Sequence, residues 1–181
     1  STLTLSRNSS DEPAARCESI SSTIQACARL CALLGEFGAG KTFLCRMFAR
    51  EVRARRDQGA ALPTAVYLDM RHLSTRSGDR VPHLEEMVEE LLLAAGHKDM
   101  TVDGVLTAVR SGNMMLIFDG IDEKTAHLTE PQTANLFAQI RRVVPGRESK
   151  AKVLVAGRTH YFLHQEDERS SISGGGDRTR D

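Results

Sequence analysis

The stretch "LLGEFGAGKTFL", Leu33–Leu44, sets three glycines and a lysine between two apolar runs. Gly35, Gly38 and Gly40 each cost backbone entropy on folding, so their place between two hydrophobic segments needs a reason. Residues Gly35, Glu36, Phe37, Gly38, Ala39, Gly40, Lys41 and Thr42 fit the pattern G-x-x-x-x-G-K-[ST]. In that pattern, loop N–H groups converge on a phosphate chain that side chains would crowd out, and the positive end of the next helix faces the same anion. Lys41 reaches the β- and γ-phosphates as a point charge, and the Thr42 hydroxyl ligates Mg²⁺.

The flanks agree with this reading. "RLCALLG" (Arg29–Gly35) is a short apolar run ending in glycine, which predicts a buried strand. In "KTFLCRMFAREVRARR", Phe43, Leu44, Met47, Phe48 and Val52 recur at helical spacing, and Gly59 ends the helix. "PTAVYLDM" (Pro63–Met70), "MMLIFDG" (Met114–Gly120) and "KVLVAG" (Lys152–Gly157) read as three more strands. Between them, "PHLEEMVEELLLAAG" has Pro82 early and Gly96 late, the expected punctuation of a helix. "TVDGVLTAVRSG" starts on Thr101 as a cap and closes at Gly112, and Pro131 opens a helix that stops at Pro145 and Gly146. "RHLSTRSGDR" reads as a polar loop.

Strands alternating with helices imply parallel strands, right-handed crossovers and helices on both faces. The expected fold is therefore α/β with three layers. Ligands of such sheets bind beyond the carboxyl ends of the strands, and every chemically interesting residue lies at such an end.

"LIFDGIDE" (Leu116–Glu123) turns abruptly acidic as its strand ends. A carboxylate buried there is costly unless paired or metal-bound. Asp119 is placed to hold Mg²⁺ opposite Thr42. Gly120 lets the chain turn, and either Asp122 or Glu123 is suited to polarise an attacking water. Arg158 follows the last strand directly, where a guanidinium can touch a γ-phosphate. His160, Tyr161 and Phe162 read as packing residues, and Thr159 as a cap for the next turn.

The chain has 181 residues, 24 basic and 24 acidic, for a formal net charge of zero. That balance argues against direct nucleic-acid binding, which needs a basic surplus. "REVRARR" (Arg50–Arg56) reads as the solvated end of a helix. Cys17, Cys27, Cys31 and Cys45 form no C-x-x-C pair and no zinc spacing. They suit a reducing, cytoplasmic setting, with Cys31 and Cys45 packed as small hydrophobes. No run approaches the roughly eighteen apolar residues of a membrane span, and no secretory signal opens the chain. The first residue, Ser rather than Met, is expected of a piece cut from something longer.

"GEFGAGKT", "LIFDGIDE" and "VAGRTHYF", in this order, resemble the NACHT branch of the STAND signalling NTPases. "VYLDMRHL" resembles the family's second strand and the arginine after it. The resemblance covers about Leu30–Phe162. It implies a three-layer, parallel-sheet P-loop NTPase of the ASCE type, here incomplete with about four core strands. It also implies ATP (or GTP) with Mg²⁺, slow hydrolysis, and a switch that self-associates through the full-length protein in innate-immune or defence-type signalling. By matching motifs, Lys41 takes the phosphate role, Thr42 and Asp119 the metal role, Asp122 and Glu123 the water-polarising role, and Arg158 the sensor role. Ala156 and Gly157 stand where the family usually has a hydroxyl or Cys before the arginine.

The expected organisation is a flexible lead-in at 1–22, the NTPase core at 23–168 and a disordered tail at 169–181. The family's fifth strand has no counterpart after Phe162, so a strand order of 5-1-4-3-2 would leave the phosphate-loop strand as a bare edge. Such a piece is expected to be poorly soluble or weakly folded. Two other readings remain: a P-loop small-molecule kinase with Arg71, Arg76 and Arg80 as lid arginines, and an inactive nucleotide-binding fragment.

Overall fold

The computed structural model of the chain describes residues 2–5, 29–75, 79–146 and 149–158, with residues 2–5 described by their backbone. The expectations for Cys17, Cys27, Arg76, Thr159, His160, Tyr161, Phe162 and the tail 169–181 lie outside the described residues, as does the lead-in beyond residue 5.

Among the described residues, five parallel strands form one sheet: β1 (Thr2–Leu5), β2 (Leu30–Gly35), β3 (Thr64–Asp69), β4 (Met114–Asp119) and β5 (Lys152–Gly157). Their order is β1-β2-β5-β4-β3. The helices are α1 (Lys41–Asp57), α2 (Leu84–Ala94), α3 (Val102–Arg110), α4 (Ile121–Thr125) and α5 (Glu130–Arg141). A 3₁₀ turn, Met70–His72, follows β3 where a plain loop was expected.

The expected bare edge is not there. β1 pairs parallel with β2, with Thr2 opposite Ala32 and Leu5 opposite Gly35. It supplies the partner that the unpaired N–H and C=O groups of an edge strand seek. "TLTL" lies in the stretch expected to be a flexible lead-in, and four residues among serines and charges are too few to show a period.

Side chains alternate across the sheet. Met115 and Ile117 of β4, with Cys31, Leu33, Leu154 and Ala156, pack under Leu44, Cys45, Phe48 and Val52 of α1. Leu116 and Phe118 face the opposite way, into a core closed by α2, α3 and α5 through Met87, Leu91, Val105, Leu136 and Ile140. Both faces are thus covered, which explains the continuous apolar runs of the central strands. Cys31 and Cys45 are free and buried, as their apolar surroundings predict, and burial pushes the Cys31 thiol up.

Because the strands are parallel, their carboxyl ends share one edge. Asp69 stands opposite Asp119, and Leu34 opposite Gly157. That edge carries the residues singled out above.

Candidate functional site

The loop between β2 and α1 starts with a turn, in which the Ala39 amide donates to the Glu36 carbonyl at 3.1 Å. Gly40 then caps α1 with φ 84°, a left-handed conformation that side chains resist. A Cβ there would meet no atom within 4 Å, so backbone conformation, not crowding by the protein itself, demands glycine. No side chain caps α1, and its first turn holds no acidic residue. Its leading N–H groups are therefore left to water or to an anion.

Lys41 folds back over the loop. Its Nζ donates to the Gly35 carbonyl at 2.7 Å and the Glu36 carbonyl at 3.2 Å. It also lies 3.6 Å from Asp122 Oδ2. Thr42 sits half-buried in the first turn of α1. The exposed Phe37 ring lies 5.8 Å from the guanidinium carbon of Arg158.

Asp119 ends β4 and is 1% exposed. Its Oδ2 accepts from the Tyr67 hydroxyl at 2.7 Å, while its buried Oδ1 has no hydrogen-bond partner. Burial, and then the bond to Asp119, push the Tyr67 hydroxyl far above its ordinary value, so it remains a donor. Gly120 turns left-handed at φ 75° and starts α4. A Cβ on Gly120 would press within 3.2 Å of Glu123 Oε2 and 3.3 Å of Arg71 Cγ. The turn therefore needs glycine for φ, while the two side chains would have to give by only a few tenths of an ångström.

Asp122 is buried in the first turn of α4. Its Oδ2 lies 3.2 Å from Arg158 Nε and its Oδ1 has no partner. The structure thus brings Lys41, Asp122 and Arg158 together, with Arg158 resting on Asp122. Glu123 is exposed on the same turn. Burial of its carboxyl lifts it above the usual glutamate range. Its backbone hydrogen bond pulls the other way, and the Asp122 and Asp119 carboxylates push it up further.

Three residues of this edge were not among the sequence candidates. Tyr67 orients Asp119. Asp69, at the end of β3, takes Arg71 in a forked pair, with Nε at 2.8 Å and Nη2 at 2.5 Å. Burial raises the Asp69 carboxyl, but the Arg71 hydrogen bonds outweigh it and hold it below its ordinary value. Lys124 is buried and donates to the carbonyls of Leu73, at 2.5 Å, and Thr75, tying α4 to the segment after β3. Two signals were present in the sequence: a second strand-end acid in "YLDMR", and a lysine directly after the acidic string.

Among the described residues, no group of three or more His, Cys, Asp or Glu is arranged to hold a metal ion by itself. A cation at Thr42 and Asp119 would need further oxygens from a phosphate ligand. The lone Oδ1 of Asp119 and the uncapped start of α1 fit such a pair of ligands: one wants a cation, the other an anion.

A family model of the NACHT domain matches residues 29–170. An uncharacterized WD repeat-containing protein of Nostoc sp. is 26% identical over 149 residues, which cover 78% of this chain and 9% of that protein. The chain thus spans under a tenth of that relative's length. The solved structure of the Aeropyrum pernix ORC2 protein, in ADPNP-ADP complexes, aligns with a TM-score of 0.52 at 13% identity. That alignment covers 88% of this chain and 44% of ORC2, and it shows a shared fold. The sheet, the glycine loop and the matched family agree: the chain belongs to the NACHT family of P-loop NTPases.

Proposed function

We propose that this chain is the nucleotide switch of a larger signalling protein, binding ATP at residues 35–42 and hydrolysing it slowly. The observation that carries this reading is the 3.6 Å approach of Lys41 Nζ to Asp122 Oδ2, which draws the glycine loop and the acidic string into one site. The ADPNP-ADP complexes of ORC2 support the same use of a like fold.

Incoming phosphates compete with Asp122 for Lys41, and the α1 amides receive the remaining negative charge. Mg²⁺, when bound, neutralises the phosphate oxygens, with Thr42 and Asp119 the residues that would hold it. Tyr67 keeps Asp119 turned with Oδ1 unpaired. Glu123, with its raised carboxyl, accepts the proton of the attacking water, with Asp122 beside it. Arg158 leaves Asp122 to meet the γ-phosphate, and that exchange reports which nucleotide is present. The turnover is slow because Lys41 and Arg158 both begin tied to Asp122.

Of the lid arginines a kinase would use, Arg71 is held by Asp69 and Arg80 pairs with Glu86. A water-directed reaction is therefore the better supported one. The core is proposed to span 23–168 and to work in the cytoplasm. Self-association is assigned to the longer protein. No helix among the described residues is long and apolar enough to cross a membrane.

The test is Glu123→Gln. ATP binding, read by calorimetry, stays intact, while phosphate release falls by about a hundredfold or more, the scale of a positioned general base. In the parent, the release rate climbs with pH over a range above the ordinary glutamate value of about 4.3, because the lifted carboxyl must lose its proton to act. The variant loses that limb. Unchanged phosphate release in Glu123→Gln would remove Glu123 from the reaction.

A further inference from the structure

A second cationic feature lies away from the glycine loop. Arg46, Arg50, Arg53 and Arg56 of α1 lie along a cleft of about 600 Å³ between that helix and β3, the edge strand of the sheet. No residue of the 35–42 loop lines it. Leu91 and Met100 contribute apolar wall, and His72 and His97 add further imidazoles.

The four arginines recur three or four positions apart, so one face of α1 carries like charges at helical spacing. Among the described residues no carboxylate lies within 4.0 Å of any of the four guanidinium groups, although Asp69 attracts Arg46 from farther off. Arg55, Arg80 and Arg142, by contrast, pair with Glu51, Glu86 and Glu85. Arg56 donates to the Thr64 hydroxyl, and Arg46 lies over the Tyr67 ring at 5.3 Å. Two acids, Asp57 and Asp69, also line the cleft, and Asp69 is already paired with Arg71.

We propose that this cleft is a second anion site, taking a small molecule that bears several phosphates. The size lies within the roughly 300–1,000 Å³ of small-ligand pockets. Guanidinium forks match phosphate oxygens bidentately, and apolar wall beside them suits the ring of a phosphorylated compound. The cleft also touches the nucleotide site chemically. Tyr67, beneath Arg46, holds Asp119, so an anion that draws Arg46 off the ring alters the setting of Asp119. The site itself stands independently of the ATP reading.

The experiment is calorimetry with inorganic tripolyphosphate on the full chain carrying Lys41→Ala, which disables the glycine loop. One saturable site remains, and adding Arg50→Ala or Arg53→Ala weakens it by about tenfold each, the scale of a charge-assisted contact. Both arginines are exposed, so the fold is expected to survive, and circular dichroism checks it. The proposal is overturned if the Lys41→Ala chain gives no heat at millimolar tripolyphosphate, or if the arginine variants bind as tightly as it does. It is also overturned, in favour of an acidic protein segment, if a decaglutamate peptide binds the cleft more tightly than tripolyphosphate. Failure of native chain to bind ATP, with tripolyphosphate still held in the Lys41→Ala background, sinks the nucleotide reading alone.

Discussion

Helices α1 and α5 begin in opposite ways. At α5 the Thr129 hydroxyl accepts from the Gln132 amide at 3.4 Å, while Gln132 Oε1 accepts from the Thr129 amide at 2.8 Å. Glu130 adds negative charge to the first turn. That end is satisfied by its own side chains, as a capping box should be. α1 has a left-handed glycine in place of a cap, no acidic residue in its first turn, and a lysine bent across the entrance. The same fold therefore seals one helix end and keeps the other open for an outside anion.

The largest test of that contrast is Lys41→Ala. It removes the only side chain of the loop that carries positive charge and leaves Asp122 with Arg158 as its remaining cation. Nucleotide affinity is expected to fall by about a hundredfold or more, the scale of truncating one partner of a desolvated charge pair. Titration calorimetry reads it, and an unchanged affinity would break the assignment of the open end. Gly40→Ala comes next. The left-handed cap costs an alanine about 1–2 kcal/mol, visible as a lower melting temperature, and nucleotide protection against melting should fall with it.

Thr129→Ala uncaps the sealed end. It should cost about 1 kcal/mol in urea unfolding while leaving nucleotide affinity alone, and a matching loss of affinity would mean the two ends are coupled. The smallest effect is expected from Phe43→Glu, an exposed position in the first turn of α1. An acid there complements the helix dipole by about 0.3–1 kcal/mol, yet it competes with phosphate. Stability should therefore rise slightly while affinity drops. A rise in both would show that the start of α1 is no anion site.

What was legible in the chain followed from burial. The central strands are covered on both faces, so they appear as unbroken apolar runs, and their ends fall within a residue or so of expectation. The glycine loop was legible because its pattern is local. α4 escaped because five residues cannot show a helical period. The roles of Tyr67 and Asp69 escaped for another reason. Tyr67 meets Asp119 across 52 residues of sequence through the register of β3 on β4, which no local pattern encodes. The sharing of Asp122 by Lys41 and Arg158 was equally invisible, since it depends on three strand ends meeting at one edge.

The short β1 has a consequence of its own. Among the described residues, Thr2–Leu5 alone pair with the outer edge of the phosphate-loop strand. A protease nick, or a foreign strand that displaces these four residues, would uncover sticky backbone directly behind the nucleotide cradle. Misassembly and loss of ligand control would then arrive in a single event.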